Sequence, residues 1–430
     1  MKKLILDAVF ATIFVFFLMW MFSSIAAFKV FEIFDPIGEA LSDMEITDVV
    51  FSELREDPIA DTAITLVNIG NISRGQIAQQ ISIISRYEPK IMGFDSFFSS
   101  PKQDTLGDLS LSFTLSATDN MVMVSKLLQS DSLTKVATGE EIYDSLKRSH
   151  PMFRQNVYEG FANLETDADY QQDFKTCRRF PPTRDLNGKP RYAFGVRLAM
   201  AYDSAQAKKF LKRNNTWETI NYRGNAADYF QRTNFGTMFT ALDVEDVLTE
   251  NFDSSVVKDK IVIFGYMGDN FLDTDWEDKF HTPMNKKYAG KANPDMYGVV
   301  IHANIVSMIL RGDHVNELSE TQELILAILM CFLNLLLFSV IYRKLPKWYD
   351  GLTKLIQLVE ILLMTFLMVM VFDWYDFKLN LSITLVAVAL TGDSLEVYFG
   401  VVRNLFTQQS RRQLFRFKKN NELAQAPEET

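Results

Sequence analysis

Histidine and cysteine are both scarce in this chain, with four of the first and two of the second among 430 residues. Cys331 falls inside a long apolar run, so a bridge to Cys177 is not expected. Neither a disulfide framework nor a zinc cluster can be assembled from that inventory. The chain also lacks G-x-S-x-G, the Walker A loop, G-x-G-x-x-G and H-E-x-x-H, so no nucleophile elbow, phosphate cradle or zinc helix is written into it. An enzyme is therefore not expected, and no cofactor or metal is implied. A formal charge of -10 argues against nucleic acid, whose phosphates need a basic surface.

Apolar residues are plentiful, at 48% of the chain. The mean hydropathy of -0.01 is too high for an ordinary soluble chain and too low for a polytopic transporter. Four runs are long enough to cross a bilayer, which takes roughly 20 residues. The first is Ala8 to Phe28, preceded by Lys2 and Lys3. Small residues in "SSIAA" would suit a cleaved signal peptide, but the apolar run is longer than the usual h-region of about 7–15 residues, which favours an uncleaved anchor. The others are Leu324–Tyr342, Leu352–Phe372 and Leu379–Gly400. Arg343, Lys344 and Lys347 lie between the second and third runs, and six Arg or Lys residues follow the fourth, starting at Arg403. The positive-inside rule then predicts cytoplasmic termini and export of the stretch between the first two runs. The expected organisation is an anchor (1–30), an exported domain (31–322), three spans (323–400) and a short basic tail (401–430). A bacterial inner membrane with a periplasmic domain is the expected setting.

The exported stretch alternates between strand-like and helix-like periods. "AITLVNIG" reads as a buried strand, "RGQIAQQISIISRYEP" as a helix with Ile77, Ile81 and Ile84 on one face, and "KIMGFDSFF" as a second strand. Such a crossover implies a parallel sheet. "GDLSLSFTLSATD" continues as a helix, "NMVMVSKLL" as a strand, "RYAFGVRLAMAYDS" as a helix, and "ETINYRG" and "DKIVIFGYMGD" as strands. An amphipathic helix over 297–311 follows, with Ile301, Ile305, Met308 and Ile309 as its apolar stripe. The fold class is thus an α/β extracytoplasmic domain with a mainly parallel sheet, plus four transmembrane helices.

An anchor, an α/β exported domain and three trailing spans, with "EPKIMGFDSFF", "NYRG", "KDKIVIFGYMGDNFLDTDWEDKFHTP" and "YGVVIHANIVSMILRGD" in that order, resemble the second type of CHASE domain. The resemblance covers nearly the whole chain and implies an extracellular sensory domain associated with cyclases and histidine kinases. Members usually carry a cytoplasmic output domain after the spans. About 30 residues follow Gly400, too few for one, so output supplied by a partner in trans is the expectation.

In open parallel sheets, ligands bind beyond the carboxyl ends of the strands. Residues 68–71, Asp95 and residues 265–269 should converge there, which makes Asn71, Asp95 and Asp269 candidate small-molecule ligand contacts. Arg223, after another expected strand, could clamp a carboxylate or phosphate, or pair internally with Asp95 or Asp269. His302 and Asn304 open the last exported helix, where core packing, a pairing with the acidic loop and ligand contact are all open. The acidic run 269–281 has the oxygens for calcium or magnesium but not the spacing of an EF-hand. Within the spans, Asn334, Glu360 and Asp393 are candidates for packing inside the bundle, for docking an integral-membrane partner, or for an ion path. No basic residue is expected at matching depth. The basic, aromatic tail suits a membrane surface, an ordinary stop-transfer flank or a protein contact. A structural subunit of a membrane complex is the alternative to the sensor.

Overall fold

The computed structural model describes residues 2–26, 45, 48–56, 59–128, 143, 145–164, 176–232, 238–273, 277–285 and 293–403. The basic tail from residue 404, and Asp275 within the acidic run, lie outside them. The chain forms two units, Ser42–Val315 and the joined Met1–Leu41 with Asn316–Thr430.

The long apolar helix α1 (Lys2–Ala26) belongs to the second unit. The first unit is built on an eight-stranded sheet. Strand β1 (Ile64–Asn68) is buried throughout, as expected for a strand covered on both faces. Helix α2 (Arg74–Arg86) starts at a Ser73/Gln76 capping box, which satisfies its first free N–H groups. Then come β2 (Ile91–Asp95), α3 (Thr105–Ser116), capped by Asp104, and β3 (Met121–Leu128). The short β4 (Ser145–Lys147) and β5 (Tyr158–Phe161) follow, then α4 (Phe194–Tyr202) and α5 (Ser204–Leu211). The last elements are β6 (Ala226–Asp228), β7 (Phe239–Leu242), α6 (Val244–Leu248), β8 (Ile261–Gly265) and α7 (Gly298–Arg311).

The strands run in the order β6-β7-β1-β8-β2-β3, all parallel, with β5 parallel and β4 antiparallel to β3. Alternation along the strands divides the core. Phe94, Val262 and Phe264 pack with Ile77, Ile81, Ile84 and Leu111 on the α2–α3 side. Gly93 and Gly265 face the other way, toward Phe194 and Leu198 of α4 and Val299 of α7.

Two expectations are corrected. Of 218–224, only Glu218–Thr219 is strand, and it pairs antiparallel with Arg179–Phe180 off the main sheet. The next residues have other partners: the Arg223 N–H donates to Asn304 Oδ1 at 3.0 Å, and the Tyr222 hydroxyl to the Cys177 carbonyl at 2.8 Å. Helix α7 puts the expected apolar stripe in the core but has no exposed polar face over residues 298–309, which are buried all round. The sheet covers one side of it and α4 and α5 the other. It ends at Gly312 in the left-handed region, where the Gly312 and Asp313 N–H groups close back on Ile309 and Met308 carbonyls.

In the second unit, α8 (Glu320–Lys344), α9 (Tyr349–Tyr375) and α10 (Ser382–Val397) join α1. Among the described residues four helical stretches, Leu4–Met21, Glu320–Lys344, Pro346–Tyr375 and Ser382–Val402, are long and apolar enough to cross a membrane. Ala8, Ala11, Val15, Cys331, Leu335, Phe338, Ala387 and Leu395 form their shared core. Neither cysteine is in a disulfide, and both are buried. Polar groups are paired between helices: Asn334 Nδ2 donates to Glu360 Oε2 at 2.7 Å, and Gln357 Nε2 to the Val388 carbonyl at 2.8 Å. Asp7, at the start of α1, pairs with Arg343 at 2.7 Å and Arg403 at 3.8 Å. Asp393 corrects the expectation that no basic residue matches the intramembrane acids. Lys354, on the first turns of α9, reaches it at 2.5 Å, with both side chains mostly exposed.

Val299 sets a limit on β8. A Cβ on Gly265 would lie 2.5 Å from Val299 Cβ, so Gly265→Ala is expected to cost about 1–3 kcal/mol by overpacking, read as a lowered denaturation midpoint of the 42–315 unit.

Candidate functional site

The carboxyl ends of β1, β8 and β2 do meet, in register, with Asn68 beside Gly265 and Gly265 beside Asp95. The residue that organises this end is Asn68, not Asn71. Its Oδ1 accepts from the Gly70 and Met267 N–H groups at 3.0 and 2.9 Å, and its Nδ2 donates to Asp243 Oδ1 and the Gly268 carbonyl. Asp243 in turn accepts from the Phe271 and Val244 N–H groups. Asn68 is fully buried, so each of these bonds replaces water that cannot enter. Asn71 and Asp269 are exposed on the two loops so tied, and the Asp269 N–H donates to Asp273 at 3.0 Å. This part of the crevice is closed by the protein's own side chains.

Asp95 and His302 come together one strand over. Asp95 Oδ2 lies 3.9 Å from His302 Nε2, too far for a hydrogen bond. The ring of Phe194 meets the imidazole edge-on at 5.2 Å, and buried His302 Nδ1 has no hydrogen-bond partner among the described residues. Burial pushes the Asp95 carboxyl up to about 8, helped by the charge of Asp278, and pushes His302 down to about 3. Near neutrality the pair is therefore an uncharged acid beside an uncharged imidazole. The Asp278 carboxylate lies over the first turn of α7, within 3.5 Å of where a Cβ on Gly298 would be. A negative group at that end suits the helix dipole.

Arg223 lies apart from this pair. Its guanidinium grips Asp313 with two bonds of 2.9 and 3.0 Å, just beyond the C-terminus of α7, so it meets neither Asp95 nor Asp269 in that grip. The reason is the missing strand: its backbone is held by Asn304, which also donates to the Gly224 and Val300 carbonyls. Asn304 is thus a core residue that staples 223–224 to α7. The same end of α7 gathers the start of the unit, with Ser307 Oγ 2.5 Å from Asp61 Oδ2 and Arg55 donating to Asn221 Oδ1 and the Tyr222 carbonyl. Sequence reasoning passed over Asp61, Asp243 and Asp313, acids in unremarkable loops whose partners lie far along the chain. Among the described residues no cluster of three His, Cys, Asp or Glu side chains is arranged to hold a metal.

A half-open cavity of about 200 Å³ lies elsewhere, between the 183–192 hairpin and the end of α5, lined by Thr183, Tyr192, Phe210, Asn214, Asn215 and Glu218 among others. None of its lining was a candidate from sequence.

An α/β domain together with four helices long and apolar enough to cross a membrane, among the described residues, defines a membrane protein with a separate α/β unit. The CHASE2 domain family matches residues 19–340, and the chain belongs to that family of extracellular sensory domains. Comparison with curated proteins and with solved structures gives no match.

The buried pair has a pH signature. Asp95, raised in the fold, contributes stability that is complete below its ordinary 3.8 and is lost as pH rises through about 8. His302, lowered in the fold, contributes stability that is present above its ordinary 6.5 and is lost as pH falls through about 3. Between 6.5 and 8 only the Asp95 loss remains, at up to about 1.4 kcal/mol per pH unit. The thermal midpoint of the detergent-solubilised protein should fall across that window, and Asp95→Asn should flatten the fall. Parallel profiles would show that Asp95 is ionised in the fold.

Proposed function

We propose that this protein is a sensor of a bacterial inner membrane, with both termini cytoplasmic and the 42–315 unit in the periplasm, that passes its state through α7 to a partner in trans. The observation that carries the reading is the burial of α7 on every side, followed after residues 312–319 by α8. A helix so enclosed moves with its domain, and a short connection leaves little slack before the span. Ligand occupancy that shifts the packing around α7 is thereby biased toward a shift at α8.

The orientation rests on charge. Asp7, Arg343 and Arg403 cluster at one end of the bundle, with Lys344 and Lys347 in the same interhelical turn. Asn316–Glu317 pairs with Phe377–Lys378 at the other. The positive-inside rule assigns the first end to the cytoplasm. A partner is supported by Lys354 and Asp393, a charged pair on the outer surface of the bundle, where lipid alone would be a poor neighbour. One observation favours the second reading, a scaffold subunit: the crevice at Asn68 is filled by Asp243 and the 267–271 loop rather than left open.

Two measurements test this. A cysteine at exposed Asn251 should react with an impermeant maleimide on intact spheroplasts and one at Lys344 only after lysis, the native cysteines being buried; the reverse pattern would invert the topology. Gentle solubilisation of the tagged protein followed by quantitative mass spectrometry should recover a signalling enzyme in substoichiometric amount, and Asp393→Asn should reduce it several-fold. A stoichiometric non-enzymatic partner would establish the scaffold reading instead, and recovery of the protein alone, wild type and variant alike, would count against both.

A further inference from the structure

The cavity beside α5 has a composition that specifies a kind of guest. Its walls are apolar at Pro182, Pro190, Phe210 and Leu211, and its polar groups are hydroxyls and amides, from Thr183, Tyr192, Asn214 and Asn215. The single formal charge in the lining, Glu218, is nearly fully buried and already neutralised: Arg213 grips it at 2.7 and 3.2 Å, and Asn215 Nδ2 donates to it at 3.0 Å. A guest ion would find no uncompensated countercharge there, and burying an unpaired charge is costly. The volume, about 200 Å³, lies below the roughly 300–1,000 Å³ of sites for drug-sized ligands, which limits a guest to a small molecule. Apolar walls with neutral hydrogen-bonding groups and a fixed acceptor suit a small molecule carrying hydroxyls on a compact carbon frame.

The walls are also joined to the exit of the exported unit. Phe210 packs its ring on His314 at 5.2 Å between centroids, and the Arg213 guanidinium that holds Glu218 donates to the Val315 carbonyl at 2.8 Å. Val315 is the last residue of this unit, close in sequence to the start of α8 at Glu320. Contact with the cavity is therefore contact with the strap 313–315.

We propose that this cavity is the sensory site of the protein and that it takes a neutral hydroxyl-rich molecule of monosaccharide size, read out through Phe210, Arg213 and the strap 313–315. The inference rests on the sensor reading above and adds to it the place of the site and the class of its ligand. Thr183 and Tyr192 face each other across the hairpin register, both line the cavity and carry hydroxyls, and both are partly exposed, so trimming them should leave the fold intact.

The test is ligand-observed NMR and calorimetry on the full chain in nanodiscs, with D-glucose, D-galactose and D-mannose as probes and D-glucuronate as the charged control. At least one neutral hexose should bind saturably, with an affinity that added salt does not change. Tyr192→Phe and Thr183→Val should each weaken binding about tenfold, Asp95→Asn should not, and glucuronate should bind more weakly. Hydrogen exchange at 311–317 should slow when the hexose is present. Absence of saturable binding by all three hexoses, or binding indifferent to both mouth variants, overturns the proposal. So does stronger, salt-sensitive binding of glucuronate. The labelling and recovery experiments do not involve the cavity, so a failure here is distinguishable from a failure of the sensor reading itself.

Discussion

Enclosure of α7 is the constraint on which most of this structure depends. Residues 298–309 are buried on every side, His302, Asn304 and Ser307 included. Each buried polar group then requires a partner or carries a desolvation cost. Asn304 and Ser307 have theirs: Asn304 holds residues 223–224, and Ser307 holds Asp61 near the beginning of the exported unit. His302 stands 3.9 Å from Asp95 with its Nδ1 unsatisfied, and the pair answers burial by giving up charge. The helix thereby fastens the sheet end, the entry segment and the exit segment to one rod. Gly265 and Gly195 are the small residues that let the rod approach, against Val299 and Ile305 respectively.

The two ends of that rod differ in character. At its head, buried His302 Nδ1 has no hydrogen-bond partner among the described residues, whereas at its foot Arg223, Asp313, Arg55 and Asn221 are linked in one polar network. A polar network that satisfies its members rigidifies what it joins. The foot, which precedes the first of the three trailing spans in sequence, is thus the more firmly held of the two ends. The membrane bundle follows the same economy, with Asn334 on Glu360 and Gln357 on the α10 backbone keeping intramembrane polarity within the helices. Lys354 with Asp393 departs from this, exposed on the outside.

Much of the fold was legible in the sequence because period and burial agree there. β1, β2, β3 and β8 are short apolar runs with parallel pairing, and α2 declares itself through Ser73, Gln76 and the Ile77, Ile81, Ile84 face. The strand expected at 218–224 failed because alternation over a few residues does not say what the backbone pairs with, and here a side chain, Asn304, takes the place of a ladder. The stripe expected on α7 lies in the core, but its opposite face is buried too, because a helix covered on two sides needs no polar face, and its composition, rich in Val and Ile, hinted at this. Of the candidate site, the convergence of the β1, β2 and β8 ends and the approach of His302 to Asp95 were within reach of topology. Arg223 on Asp313, Lys354 on Asp393 and the cavity lined by residues 182–218 depend on long-range contacts between separate loops and helices, which periodicity does not encode.

Hydrogen exchange of the full chain in nanodiscs tests whether α7 forms one body with the core of the 42–315 unit. The amides of α7 should exchange in the slowest class, together with β1 and β8, through opening of the whole unit. Exchange of α7 well before those strands would show a helix that detaches on its own, and would contradict its place as part of that core.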